Sequence, residues 1–260
     1  MTTVKRRIGA TKQPRGGYIN PRALDVRQLD DGAVLHAAEN VHASITGAAV
    51  DYLTRLANGT PVEDAFDASL RGATNLELRG VPVADDVRAA LSALVPGVLP
   101  DAAAVAAACR LAGYDVAYRA GVALYNPDVN TEPDAATTGN IQTMVTRAQA
   151  FFSEYGPVTL SGFTFDGAYT DLVTSGDGDF LTVDTLWDFK VSVSKPTNAH
   201  TLQLLMYFLM GKRSGQPEFE TITHLGVFNP RLNTVYRIAL ADVPTTVISE
   251  VSTEVIGYAD

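Results

Sequence analysis

The sequence predicts an α/β protein with a mixed β-sheet flanked by helices and a helical N-terminal elaboration. Up to about residue 156, apolar residues recur at helical spacing. From Val158 onward they alternate, or run in short segments rich in β-branched residues. Within this second part, a helical segment after Pro196 separates the segments that resemble strands. Helices therefore come first, and strands with helices packed on them follow.

Three regions are predicted along the chain. Residues 1–34, punctuated by Gly and Pro, are expected to form a basic, extended N-terminal arm. Residues 35–156 are expected to form a helical elaboration packed on a core made by residues 157–260. With 260 residues and a hydrophobic content of 46%, these regions can form one compact domain. The helices expected in the elaboration cover about residues 40–57, 61–70, 85–94, 101–111 and 140–155. For residues 114–138 the sequence is compatible with either a broken helix or a loop.

The core is predicted as a series of strands interrupted by one helix. Asp166-Gly167 is a typical hairpin turn, so strands are expected on either side of it, over about residues 158–165 and 168–173. A second hairpin follows within residues 176–190, and then a helix that begins near Pro196 and ends near Gly211. Two further strands are expected over about residues 222–228 and 234–240, and a C-terminal helix carries valines at positions 247, 251 and 255.

Cysteine content and hydropathy exclude several classes of protein. Cys109, the single cysteine, lies in an alanine-rich run and is expected to be a small buried hydrophobe. An intrachain disulfide and a cysteine-based zinc site are therefore excluded. No apolar stretch approaches the roughly 20 residues of a membrane span, and no signal-peptide pattern opens the sequence. We therefore expect a cytoplasmic protein without a membrane partner.

The charge distribution is uneven. A net charge of −9 and a pI near 4.9 argue against a protein that coats nucleic acid through many phosphate contacts. The first 30 residues, however, carry seven basic and two acidic residues, a local charge of +5. Two interpretations are open for this stretch: a flexible cationic arm that lies on a phosphate backbone, or a solvated terminal tail.

Residues 176–190, GDGDFLTVDTLWDFK, carry the strongest indication of function. A two-residue loop at Val183 and Asp184 pairs Thr182 with Thr185. The pairing then steps outward through Leu181–Leu186, Phe180–Trp187, Asp179–Asp188 and Asp177–Lys190. Directly opposed residues of an antiparallel pair point to the same side. One face is therefore charged (Asp177, Asp179, Asp188 and Lys190) and the other is apolar (Phe180, Trp187 and Phe189).

Opposed carboxylates are costly because like charges facing each other on a sheet repel. Aspartate is also a poor strand residue. A divalent cation with an ammonium group beside it compensates such a pair, and carboxylate ligands suit Mg²⁺ or Mn²⁺ better than zinc. The alternative is a solvent-facing hairpin whose charges lie in water.

The helix that follows the hairpin adds two polar residues on one face. Gln203 and Tyr207 are four residues apart, so they lie on the same side of the helix and can lean over the charged hairpin. Leucines and methionines supply its apolar positions. An ordinary amphipathic helix with a half-buried tyrosine is the alternative.

Together these residues resemble the PD-(D/E)xK nuclease superfamily, in particular its RecB-like branch. That pattern has an Asp at the start of one strand, Asp/Glu-x-Lys in the next strand, and Gln-x-x-x-Tyr in the following helix. The corresponding residues are Asp179, Asp188-Phe189-Lys190 and Gln203-x-x-x-Tyr207. The resemblance covers about residues 158–240. Gly176-Asp177-Gly178 precedes Asp179, so the proline of the pattern is absent.

The resemblance implies a role for each of these residues. Asp179, Asp188 and the backbone carbonyl of Phe189 are expected to hold Mg²⁺ or Mn²⁺. Lys190 is expected to position the attacking water and to stabilise charge on the phosphate. Gln203 and Tyr207 are expected to support the site or to contact the substrate backbone.

The fold and activity that the resemblance implies are a restriction-endonuclease-like sheet and metal-dependent hydrolysis of DNA, or of RNA. The alternative is an inactive nuclease-like module that binds nucleic acid or a protein partner in a defence or repair assembly.

Several further acids and histidines are candidates. Asp171, in the sequence GAYTDLV, competes with Asp179 for the first Asp position, although its assignment requires a longer hairpin. Asp177 shares the charged face. Members of the superfamily often carry one more acid or histidine on an earlier helix. His42 and Glu154 are the main candidates here, with Glu39 and His36 beside them.

Overall fold

The computed structural model describes residues 2–259, and the chain divides into two compact units. The first, here called the sheet unit, comprises Met1–Leu29 and Phe152–Asp260. The second, the helical unit, comprises Asp30–Phe151. The N-terminal segment therefore folds together with the C-terminal half of the chain, whereas the sequence-based division set residues 1–34 apart as an arm.

The elements are numbered in chain order. The α-helices of residues 2–259 are α1 (Val4–Ala10), α2 (Ala43–Ala57), α3 (Val62–Ala65), α4 (Asp67–Glu77), α5 (Ala84–Leu91), α6 (Ala102–Ala112), α7 (Asp115–Arg119), α8 (Ala135–Tyr155), α9 (Asn198–Ser214) and α10 (Thr245–Glu250). The strands are β1 (Asp25–Gln28), β2 (Val158–Thr164), β3 (Asp177–Thr182), β4 (Thr185–Phe189), β5 (His224–Asn229) and β6 (Thr234–Ala239). A π-helical turn, Val251–Ile256, continues α10.

The six strands form one sheet in the order β1-β6-β5-β4-β3-β2. Strands β4 and β5 are parallel and every other neighbouring pair is antiparallel. Helix α9 connects the two parallel strands, because parallel neighbours require a crossover. The prediction of an α/β protein with a mixed sheet flanked by helices is confirmed.

The β3–β4 hairpin has the predicted register. Phe180 pairs with Trp187 and Leu181 pairs with Leu186, with two residues linking the strands. The indole Nε1 of Trp187 donates a hydrogen bond to Thr182 Oγ1 at 2.9 Å. At the turn, Arg237 on β6 binds Asp184 at 2.6 Å. The first contact holds the two strands of the hairpin together, and the second fixes its turn to β6.

The two faces of the hairpin are buried against different elements of the sheet unit. Leu181 and Leu186 join a core that α9 covers through Leu202, Leu205 and Met206. On the other face, Phe180 meets Phe152 edge to face, and Trp187 meets Tyr155. The prediction of a charged face and an apolar face is therefore incomplete, because the face that carries Asp179 and Asp188 also contains buried leucines.

The N-terminal segment is folded, and the prediction of an extended arm is wrong. Val4 and Ile8, four residues apart on α1, are buried in the core of the sheet unit. Thr3 caps this helix by accepting the Arg6 N–H at 3.1 Å. Farther along, β1 pairs with β6 and forms one edge of the sheet. The apolar spacing of four residues after a threonine was the signal for this helix.

The predicted hairpin at Asp166-Gly167 is also wrong. Strand β2 pairs with β3, so the partner position that the hairpin required is already taken. Residues 165–176 form a loop instead, in which the Tyr169 hydroxyl donates to the Gly176 carbonyl. Thr170 donates to the Ile256 carbonyl at 2.5 Å. The turn itself forms, since the Ala168 N–H donates to the Phe165 carbonyl at 2.9 Å, but these contacts hold the residues after it in a loop and not in a second strand.

The helical unit contains the predicted helices with shifted ends. Residues 114–138 resolve into α7, a 3₁₀ turn (Val122–Leu124) and irregular segments ahead of α8. Asp115, at the start of α7, accepts hydrogen bonds from the Ser69 and Tyr52 hydroxyls. Cys109 is buried, as predicted. Among residues 2–259, no helix has both the length and the hydropathy that crossing a membrane requires.

Gly226 on β5 lies opposite Trp187 on β4, where a methyl group does not fit. A Cβ on Gly226 would lie 2.3 Å from Cζ3 of the indole ring, which is buried and held by its hydrogen bond. We expect Gly226→Ala to lower the free energy of unfolding by about 1–3 kcal/mol, measured by urea denaturation.

Gly9→Ala is the matched control, because Gly9 lies within α1 and a Cβ there meets nothing within 4 Å. Alanine is the better helix former, so this variant should be neutral or slightly more stable. Equal stability of the two variants would show that the Trp187–Gly226 contact does not constrain the sheet.

Candidate active site

Asp179 on β3 and Asp188 on β4 lie one step outward from Phe180 and Trp187, the last pair of the β3–β4 ladder. The ladder places Phe180 opposite Trp187, so the next pair outward on the neighbouring face is Asp179 with Asp188. The Phe189 N–H donates to Asp179 Oδ2 at 2.6 Å. A side-chain carboxylate therefore takes the place that a backbone carbonyl of β3 would occupy in a continued ladder.

The N–H and C=O groups of Phe189 point toward the same neighbouring strand, β3. In an antiparallel pair, one residue exchanges both its N–H and its C=O with the same neighbouring strand. The Phe189 N–H points to Asp179, and the next N–H, that of Lys190, donates to Phe228 on β5 at 2.9 Å. The Phe189 carbonyl thus faces the β3 side, where the two carboxylates lie.

Asp188 is buried, and only one of its two carboxylate oxygens has a partner among residues 2–259. Its side chain is 2% exposed, and Lys190 Nζ lies 2.9 Å from Oδ1. The other oxygen, Oδ2, is buried and has no hydrogen-bond partner among residues 2–259. A buried anionic oxygen without a partner is costly, because the carboxylate loses its hydration without compensation.

The electrostatics of the pair disfavour two negative charges. Burial raises the pKa of Asp179 well above the ordinary carboxyl range, and the neighbouring Asp188 raises it further. Lys190 and the Phe189 N–H lower it, but less than these two effects raise it. Without a cation, Asp179 therefore holds its proton to a higher pH than a solvated aspartate.

Helix α9 brings Gln203 and Tyr207 to the acidic pair. Gln203 Nε2 donates to the Tyr207 hydroxyl at 2.8 Å, as their spacing of four residues allows. Tyr207 is buried, and burial is the main reason that the pKa of its hydroxyl is raised. Asp177, Asp179 and Asp188 raise it further. The phenol therefore lies close to the carboxylates and stays protonated.

His200 belongs to the same side of α9 and was missed in the sequence. It lies three residues before Gln203 and seven before Tyr207, which places all three on one stripe of the helix. Its Nδ1 accepts the Thr197 N–H at 3.1 Å, in a capping box at the helix start. Burial lowers the pKa of this imidazole, and Lys190 lowers it further. The signal was a histidine three residues after a threonine cap.

The donor set fits a magnesium or manganese ion. The described residues contain no cluster of three or more His, Cys, Asp and Glu side chains that could bind a metal. Two carboxylates and a backbone carbonyl are nevertheless sufficient for Mg²⁺, which usually keeps several waters and takes its remaining ligands from substrate phosphates. The buried Asp188 Oδ2, which has no hydrogen-bond partner among residues 2–259, is a ligand atom that a cation would satisfy.

The other acids and histidines that the sequence offered as candidates do not join the Asp179–Asp188 pair. Asp177 is exposed at the start of β3, near enough to Asp179 to raise its pKa. Asp171 is exposed in the loop after β2, which leaves Asp179 as the residue opposite Asp188. Glu154 pairs with Arg27 at the end of α8. His42 caps α2 by accepting the Ser44 N–H at 3.2 Å. Glu39 and His36 bind Asn140 within the helical unit.

Comparison with known proteins gives no independent assignment: no family model, no curated protein and no solved structure matches the chain.

The raised pKa of Asp179 predicts a pH dependence of stability in the absence of metal. Its ionised form disfavours the fold, so the free energy of unfolding should fall as the pH rises from the ordinary carboxyl range toward neutrality. We expect a fall of about 1–3 kcal/mol from this group. Urea denaturation in EDTA at pH 4.5 and 7.5 measures it.

Asp179→Asn is the reference protein, because the amide oxygen still accepts the Phe189 N–H but cannot ionise. Titrating groups far from the pair are common to both proteins and cancel in the difference, which therefore reports Asp179 together with the groups that interact with it, Asp188 and Lys190. Parallel pH profiles for the two proteins would contradict the electrostatic account.

Proposed function

We propose that the protein is a metal-dependent nuclease that hydrolyses phosphodiester bonds in DNA, with RNA as the alternative substrate. The observation that carries the proposal is the buried Asp188 oxygen without a partner, on a residue opposite Asp179 and beside the Lys190 ammonium. A cation between the carboxylates would relieve both the desolvation cost and the repulsion.

The residues available to hold Mg²⁺ or Mn²⁺ are Asp179, Asp188 and the Phe189 carbonyl. When bound, the ion supplies a Lewis acid for a phosphoryl oxygen and lowers the pKa of a coordinated water. Hydrolysis forms a bond from the water oxygen to phosphorus and breaks the bond to one sugar oxygen, which takes up a proton.

Lys190 contributes positive charge where negative charge develops on the phosphate. Its Nζ lies 2.9 Å from Asp188, which orients the ammonium toward the acidic pair. Such stabilisation is strongest in a site that excludes water, and Asp188 is 2% exposed. The Tyr207 hydroxyl accepts from Gln203, so its own proton remains available for a phosphate oxygen or a bound water.

The order of the residues on the fold supports a restriction-endonuclease-like identity for the sheet. Asp179 is on β3, Asp188 and Lys190 follow on and just after β4, and Gln203 and Tyr207 are on α9. This is the strand, strand, helix order of the PD-(D/E)xK pattern. The proposal assigns the site to the sheet unit.

A specific observation favours a second function. Lys190 already pairs with Asp188, so the ammonium can neutralise a carboxylate that no longer binds a metal. The net charge of −9 also disfavours extensive contact with nucleic acid. The protein would then be an inactive nuclease-like module that binds nucleic acid or a protein partner in a defence or repair assembly.

Cleavage of labelled DNA and RNA in Mg²⁺ or Mn²⁺ tests the nuclease. We expect Asp188→Asn and Lys190→Ala each to lower the rate by about 100-fold or more, because the first removes a carboxylate that would hold the metal and the second removes the positive charge that faces the phosphate. Asp171→Asn is the matched control and should retain activity, since Asp171 is exposed in a loop. Equal activity of wild type, Asp188→Asn and Lys190→Ala would contradict the proposal. Activity lost only in Asp171→Asn would show that Asp171, and not Asp179, is the first Asp of the pattern.

Isothermal titration with Mn²⁺ separates the nuclease from the inactive module. A functional site should bind Mn²⁺ with heat that disappears in Asp179→Ala, because that variant lacks one of the two carboxylates. Binding that is absent from wild type, or unchanged in the variant, would favour the inactive module.

A further inference from the structure

A group of basic residues in the N-terminal segment lies outside the ion pairs formed by the described residues. Lys12, Arg15 and Arg22 are exposed, and none of them forms an ion pair with residues 2–259. The chain as a whole is acidic, with a net charge of −9. Unpaired cations concentrated in one short segment of an acidic protein are the electrostatic footprint of a polyanion site. Residues 12–22 are here called the basic segment.

The basic segment has a defined backbone conformation. The Gly17 N–H donates to the Pro14 carbonyl at 2.9 Å, which closes a four-residue turn with Arg15 at its tip. Gly16, the third residue of the turn, has φ +93°, a conformation that glycine adopts without strain. The Arg15 side chain is therefore presented by a fixed turn.

Three contacts attach the basic segment to the rest of the sheet unit. Thr201 on α9 donates its hydroxyl to the Ile19 carbonyl at 2.7 Å. A Cβ on Gly17 would lie 2.9 Å from Cγ of Asn198, so the turn packs directly on the first residue of α9. On another side, the Tyr18 hydroxyl donates to Glu250 at 3.3 Å.

These contacts place the basic segment next to the candidate active site. Thr201 follows His200 in the chain, and His200 is close enough to Lys190 for the ammonium to lower the pKa of its imidazole. The loop between Lys190 and α9 carries a further exposed cation, Lys195. Asn229 on β5 fixes this loop by donating to the Ser192 carbonyl at 2.7 Å. The chain that leads from Lys190 through Lys195 to the start of α9 therefore meets the turn that carries Arg15.

We propose that the basic segment is the surface that binds the phosphate backbone of a nucleic acid next to the Asp179–Asp188 site. The proposal rests on the proposed function for the choice of polyanion, and it names the chemistry that recognises the substrate. Phosphodiester groups would lie against Lys12, Arg15 and Arg22, and the chain of phosphates would continue past Lys195 to Lys190. Recognition of this kind depends on backbone charge and does not require a particular base sequence.

Binding of fluorescein-labelled 20-nucleotide oligonucleotides, single-stranded and double-stranded, tests the proposal in EDTA, where no cleavage occurs. The test protein carries Lys12→Gln, Arg15→Gln and Arg22→Gln. The control carries Lys5→Gln, Arg6→Gln and Arg79→Gln, which also removes one lysine and two arginines that are exposed and outside any ion pair of the described residues.

We expect the test protein to bind about 10-fold more weakly at 100 mM salt. It should also lose about two to three units of the slope of log K against log salt, since each of the three lost phosphate contacts removes about 0.7 on a single strand and about 0.9 on a duplex. The control should stay within about twofold of wild type. Whichever oligonucleotide shows the larger effect identifies the form of the substrate.

Three results would overturn the proposal: equal affinity and salt slope in the test and control proteins, no binding of either oligonucleotide by wild type, or displacement of the oligonucleotide by polyglutamate at equal charge concentration. The last result would assign the surface to an acidic protein partner. Failure of this surface is distinguishable from failure of the nuclease. Metal-dependent cleavage that requires Asp188 can persist when these results are negative, and binding through the basic segment can persist in a protein that does not cleave.

Discussion

Repulsion between two carboxylates on neighbouring strands is the constraint around which the sheet unit is built. Asp179 is held by the Phe189 N–H, and Asp188 is buried with one oxygen paired to Lys190 and the other unpaired. The strands cannot slip to relieve this repulsion, because a shift of one residue would expose the leucines on the same face. The fold thus retains an interaction that is unfavourable for stability, as functional sites often do.

The position of α9 connects the fold to the chemistry. The helix crosses between the parallel strands β4 and β5, and its apolar residues cover the buried side of the hairpin. The same packing brings Tyr207 to the carboxylates, and Gln203, one turn earlier on the helix, donates to its hydroxyl. Its first turn meets the N-terminal segment through Thr201. One helix therefore links the acidic pair, its polar neighbours and the basic surface that we propose for the substrate.

Local patterns predicted the hairpin and α9, whereas long-range contacts decided what the sequence did not predict. A two-residue loop at Val183 and Asp184 determines the pairing of Phe180 with Trp187, and this signal lies within a few residues of the pair. By contrast, β1 pairs with β6, and the loop after β2 is held by Ile256. Those partners are far away in the chain, so the arm and the Asp166-Gly167 hairpin were predicted wrongly. The place of His200 beside Lys190 likewise depends on how α9 docks.

The central claim is that a divalent cation binds between Asp179 and Asp188. Anomalous diffraction from crystals soaked in Mn²⁺ tests it most directly. The account predicts one manganese peak within coordination distance of both carboxylates, with Asp188 Oδ2 among the ligands, and no peak at this position in Asp188→Asn crystals. The absence of a peak in the wild-type protein, with the Lys190 ammonium still paired to Asp188, would contradict it.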